Sequence, residues 1–209
     1  MLVVKYQVIL FDIDNTLINS ADLVASTLRN GALKEGIDVP LSEYRKRIGQ
    51  TGEHILKEFG VKNWQRVLSN YMVEFGKNMY KLAYFSGIES LLLGLKSKEV
   101  TIGVVTSKDR HQFDREVSCF PLIENMKIVT TSDLTDKPKP SGEPLTYTIS
   151  AHGLDLARTL YVGDSVFDMQ SAHEAGLDFA VASWGALPEA QFPTARYQLR
   201  NPMDLLKLV

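Results

Sequence analysis

Five short apolar runs, Tyr6 to Phe11, Val100 to Val105, Met126 to Val129, Thr159 to Val162 and Phe179 to Ala182, recur along the chain with longer segments of helical periodicity between them. Runs of this length with little polar alternation suit strands buried on both faces, and the intervening helices are the crossovers that parallel strands need. The pattern predicts an α/β fold, a doubly wound parallel sheet. One stretch breaks the rhythm: between Leu17 and Tyr84, Leu23, Leu28, Ile55, Phe59, Val67, Met72 and Phe75 follow one another at mostly helical spacings. Residues 18–85 are therefore expected to form a small inserted α-helical cap on a core of residues 1–17 and 86–209, hinged near Ile18 to Ser20 and Lys81 to Ser86.

Each of the first four runs is followed by polar residues of a particular kind. In a doubly wound sheet ligands bind outside the carboxyl ends of the strands, so residues distant in sequence meet at one edge. After the first run come Asp12 and Asp14, two residues apart and so leaving the strand on one side. Two unit charges 4 Å apart in an effective dielectric near 20 repel by roughly 4 kcal/mol, so something cationic must sit beside them. Alone, Asp-x-Asp is equally an exposed turn. The other runs add Thr106, Ser107 and Lys108, then Asp133 and Lys137, then Gly163, Asp164 and Asp168. This set suits phosphoryl transfer: a carboxylate nucleophile, a second carboxyl as acid and base, a lysine and a hydroxyl for phosphoryl oxygens, and oxygen ligands for a divalent cation.

Composition excludes several alternatives. Lys and Arg number 23 against 25 Asp and Glu, a formal charge of -2 with no basic block, which argues against nucleic acid as a partner. No apolar run reaches about 18 residues, so no membrane span is expected. Residues 1–6 run straight into the first strand without the organisation of a signal peptide. The single cysteine, Cys119, cannot form an internal disulfide and is read as a packing residue, which fits a reducing, cytoplasmic setting. The four histidines, His54, His111, His152 and His173, show no metal-ligand spacing.

From Asp12 to Asp168 the chain resembles the haloacid dehalogenase superfamily, whose core is Rossmann-like. The four motifs appear as Asp12-Ile13-Asp14-Asn15-Thr16, Ile102-Gly103-Val104-Val105-Thr106, Lys137-Pro138-Lys139-Pro140 and Gly163-Asp164-Ser165-Val166-Phe167-Asp168. The resemblance implies Asp12 as nucleophile, Asp14 as acid and base, and Thr106, Ser107 and a lysine as ligands of the substrate's phosphate. Family spacing favours Lys137, with Lys139 the alternative. It further implies Mg²⁺ held by Asp12, Asp14, Asp164 and Asp168, the last at longer range or through water. The segment Arg47-Ile48-Gly49-Gln50-Thr51-Gly52 resembles the substrate-specificity loop of phosphoglycolate phosphatases and β-phosphoglucomutases, which places Arg47 and Gln50 beside the substrate. Asn15 stands where relatives of this type have Gly, and Asn19 where Asp is common.

The expected activity is hydrolysis of a small-molecule phosphoester. A phosphomutase and a pyrophosphatase use the same groups and stay open as alternatives. A signalling receiver domain shares an Asp, a hydroxyl and a Lys at strand ends, but the second acid and the large insert oppose it.

Overall fold

The first apolar run becomes β1 (Val8–Phe11), near the middle of a six-stranded sheet in a computed structural model that describes residues 5–209. The run-in of residues 1–4 to that strand lies outside the described residues. The other strands are β2 (Thr101–Val105), β3 (Ile128–Thr130), β4 (Thr159–Gly163), β5 (Asp178–Ala182) and β6 (Tyr197–Leu199), in the order β3-β2-β1-β4-β5-β6. All neighbouring pairs are parallel, so the expected α/β architecture is the one observed. β6 has no counterpart among the predicted runs, because three residues flanked by Arg196 and Arg200 are too short to carry a periodic signal.

Between β1 and β2 the insert contributes α1 (Ala21–Lys34), α2 (Leu41–Arg45), α3 (Gly52–Glu58) and α4 (Trp64–Gly76). Ala21, Ala25, Leu28 and Ala32 make one stripe along α1, and Val67, Tyr71 and Phe75 make another along α4. Together with Tyr44, Ile55 and Leu56 they form a buried cluster drawn entirely from the insert. The chain enters and leaves this unit through two segments joined to each other: Asn19 N donates to Ala83 O (2.9 Å) and Phe85 N to Leu17 O (3.1 Å).

The sheet is covered on both faces. Ile9 and Phe11 point toward α5 (Ile88–Ser97), α6 (Arg110–Glu116) and α7 (Pro121–Glu124), where they pack with Leu91, Leu95, Phe113 and Ile123. Val8 and Leu10 point the other way, toward α8 (Glu143–His152) and α9 (Val166–Glu174), and pack with Leu145, Met169 and Ala172. This two-residue period explains why the strand shows no polar positions. Cys119 is exposed rather than packed, because it falls in the turn between α6 and α7. Among the described residues no helix is long and apolar enough to cross a membrane.

Strand order reverses about β1, whose neighbours are β2 and β4, and the loops at its carboxyl end sit in that crevice. Asn15 takes φ 60° there, a left-handed conformation that Asn tolerates and that a glycine would also supply. Its side-chain amide donates to the carbonyl of Gly185, while Trp184 Nε1 donates to Thr16 O (2.8 Å). Gly185 is buried, and a Cβ built there would overlap the Asn15 carbonyl oxygen and lie 2.8 Å from its carbon. Gly185→Ala is expected to cost about 3 kcal/mol through this backbone clash and to lower Tm by roughly 6–12 °C, as measured by scanning calorimetry. An unchanged Tm would show that the two loops are not in contact.

Candidate active site

The loop after β1 is shaped by alternation. Ile13 and Leu17 are buried in the core and tied by Leu17 N donating to Ile13 O (2.9 Å), which leaves Asp12 and Asp14 on the other side of the backbone. Asp12 N still donates to Val162 O (2.9 Å), so Asp12 stands on the last rung of the β1–β4 ladder. Its Oδ1 accepts from Lys139 Nζ (2.6 Å), and the same ammonium donates to Asp168 Oδ1 (2.8 Å) and Tyr161 Oη (3.1 Å). All of these groups are buried. Burial works against the charge on Lys139, but Asp12 and Asp168 hold its pKa well above that of an ordinary lysine. Burial pushes Asp12 up to about 7, opposed by Lys139 and reinforced by Asp168 and Asp14.

Asp164 arrives from the neighbouring strand. The residue after it, Ser165, caps α9, and Asp168 completes a capping box by accepting from Ser165 N (3.2 Å) and from its hydroxyl. The spacing of Asp164 and Asp168 is thus the geometry of a helix start. Asp168 spends both oxygens, Oδ1 on Lys139 and Tyr161 and Oδ2 on Ser165. Asp164 accepts from Thr16 Oγ1 (2.9 Å), and burial followed by repulsion from Asp168 and Asp12 lifts its pKa well above the carboxylate range.

Carboxylate oxygens of Asp12, Asp164 and Asp168 lie within 4.8 Å of one another. Asp12 Oδ2 is buried with no hydrogen-bond partner among the described residues. An unpaired buried carboxylate oxygen beside a second crowded acid is unfavourable, and a hard dication relieves it. The donor set therefore fits Mg²⁺, with Asp12 and Asp164 offering free oxygens and Asp168 already committed to protein donors.

The carboxylate of Asp14, also expected among the metal ligands, lies outside that cluster. It accepts from Lys108 Nζ (2.7 Å) and from Ser20 Oγ (2.6 Å), which turn it toward the insert. Lys108 also donates to Glu116 on α6, a buried carboxylate that burial lifts to about 7. Burial disfavours the Lys108 ammonium, yet Asp14 and Glu116 raise its pKa.

The remaining expected residues divide. Thr106 is buried at the end of β2, where its hydroxyl oxygen accepts from Lys108 N (3.2 Å) and its hydroxyl proton remains available. Ser107 lines the site, but its hydroxyl donates to Gly49 O of the insert (2.6 Å) and so latches the insert to the core. Gln50 lines the same cavity as Asp12 and Asp14. Arg47 does not: it donates to Glu58 Oε1 (2.8 and 2.7 Å) and to Glu43, with its guanidinium over the Phe59 ring, because two acids on the insert surface compete for it. Lys137 is exposed, and Lys139 takes the place expected of it, since only the second lysine of Lys-Pro-Lys-Pro reaches inward. Sequence reasoning missed Tyr161, hidden in a strand, and Glu116. Glu116 did carry a signal, lying between Phe113 and Val117 on the apolar stripe of α6, where a charge needs a partner.

A profile of the haloacid dehalogenase-like hydrolases matches residues 9–182. Similar sequences include phosphoglycolate phosphatase of Aquifex aeolicus, 30% identical over 97% of this chain and 96% of that one. Pyrophosphatase PpaX of Halalkalibacterium halodurans is 26% identical over 96% of this chain and 95% of its own. Among solved structures, a protein of Lactobacillus plantarum superposes with TM-score 0.88 at 28% identity, covering 98% of this chain and all of the other.

Removing the ammonium that holds two buried carboxylates should be costly. Lys139→Met is expected to lose about 3–5 kcal/mol of stability, read by urea unfolding. Lys137→Met, at an exposed position, should stay within about 0.5 kcal/mol of wild type.

Proposed function

Because the chain belongs to the haloacid dehalogenase-like hydrolases, we propose that it is a Mg²⁺-dependent phosphatase of a small phosphorylated metabolite, working through an aspartyl-phosphate on Asp12 with residues 18–85 as its cap. The observation that carries this reading is Asp12 Oδ2, buried and without a partner among the described residues, on a residue that lines one cavity with Asp14. A carboxylate oxygen of Asp12 attacks phosphorus while the ester oxygen departs from the opposite side, giving an acyl phosphate. Asp14 delivers a proton to the departing oxygen. It then takes one from the water that attacks phosphorus, which frees phosphate and restores Asp12. Lys139 and Thr106 supply a positive charge and a hydroxyl proton to the phosphoryl oxygens as negative charge redistributes among them. Mg²⁺, when bound by Asp12 and Asp164, neutralises the repulsion between these acids and an incoming phosphate.

The cavity measures ≈ 40 Å³, little more than the roughly 30 Å³ that one water occupies in the liquid. A cavity of this size suits a compact leaving group better than a hexose held between two phosphoryl transfers, and movement of the insert would enlarge it. Lid motions of this kind commonly gate turnover.

Phosphate release from an aryl phosphate is expected to require Mg²⁺, to stop on chelation, and to vanish in Asp12→Asn. Undiminished release by that variant would remove the assignment of the nucleophile. Asp14→Asn should slow an alkyl phosphate by about 10²–10⁴-fold and an aryl phosphate by less, since a phenolate leaves without a proton.

A further inference from the structure

The cavity over Asp12 and Asp14 is where the leaving group of a bound ester lies, if the phosphatase reading holds. Its insert side is lined by Val24, Leu28, Ile48, Ile55 and Tyr71, with Gln50 and the Tyr71 hydroxyl as its polar side-chain groups. Lys108 is the only cation among the described lining residues, and it is already spent. Its ammonium is shared between Asp14 and Glu116, so one positive charge faces two carboxylates, and Asp14 alone would neutralise it. Arg47, the nearby cation of the same insert segment, is held by Glu43 and Glu58 and does not line the cavity. Gln50 Oε1 is buried and lacks a donor.

An anionic leaving group entering this cavity finds neutral polar groups and the carboxylates of Asp12 and Asp14, but no cation among the described lining residues that is not already paired. A charge buried without a partner is strongly disfavoured, whereas a hydroxyl finds an acceptor in Gln50. We infer that the preferred substrate is the phosphate ester of a small uncharged alcohol whose hydroxyl donates to Gln50, and that Glu116 sets this preference by withholding Lys108 from the leaving group. Glu116 touches neither the phosphoryl group nor Asp12, so its effect is on selection and positioning. Leaving groups such as glycolate or phosphate, both anions, are expected to be the poorer ones.

Two esters of equal length separate the possibilities: 2-hydroxyethyl phosphate and 2-phosphoglycolate, which differ in a terminal hydroxymethyl or carboxylate. With the full chain and Mg²⁺, kcat/KM should favour the hydroxyethyl ester by about tenfold or more. Glu116→Gln keeps the side-chain shape but removes the competing charge. It should shift the ratio toward 2-phosphoglycolate by about tenfold, chiefly by lowering the KM of that substrate. A wild-type preference for 2-phosphoglycolate overturns the inference without any variant. A wild-type preference for the hydroxyethyl ester with an unchanged ratio in Glu116→Gln overturns the role of Glu116. Cleavage of an aryl phosphate but of neither small ester defeats the substrate assignment alone. Failure on all three esters defeats the phosphatase reading as well.

Discussion

The ammonium of Lys139, buried between Asp12 and Asp168, is the condition under which the rest of the site can exist. Three carboxylates converge at the carboxyl edge of β1 and β4, in surroundings where burial pushes Asp12 and Asp164 toward their neutral forms. One lysine within hydrogen-bond reach of two of them keeps the group together, and Tyr161 fills a remaining bond on each side. The compensation is incomplete, because Asp12 keeps one oxygen without a partner among the described residues and Asp164 meets only neutral donors, the Thr16 hydroxyl and the Asn15 amide. A site short of positive charge by this amount suits a dication.

A second ion cluster, Asp14–Lys108–Glu116, has a different balance. There a single ammonium is outnumbered, and it lies beneath the insert, 6.0 Å from the centre of the Phe75 ring. The two clusters are adjacent because Asp12 and Asp14 are two residues apart, yet they reach different elements. The first ties Asp12 to Asp168 at the end of the sheet and the second ties Asp14 to α6, while Asp12 and Asp14 line one cavity. Asp12 and Asp14 are thereby given separate counter-charges, Lys139 and Lys108.

Much of this was legible before any coordinates. The apolar runs gave the parallel sheet, since strands covered on both faces leave no room for polar alternation, and the convergence of Asp12, Thr106 and Asp164 followed from strand ends sharing one edge. The helical insert was visible as a change of period. Arg47 and Ser107 were less legible. Their chemistry suited a substrate, but Glu43, Glu58 and the Gly49 carbonyl lie close enough in space to claim them. The Asp14 carboxylate stands apart from the other acids for a similar reason, because Lys108 and Ser20 bind it.

Order and period along the chain suffice for the fold class and for which acids gather, because buried strands and capped helix starts impose spacings that do not depend on distant partners. Asp164, Ser165 and Asp168 are such a case, a helix start written in consecutive residues. Pairing is another matter. Lys137 and Lys139 stand in identical local contexts, each before a proline, and only the packed chain sends one to solvent and the other 2.6 Å from Asp12. Charge neutralisation depends on distances across the fold, and those become definite when the layers close on one another.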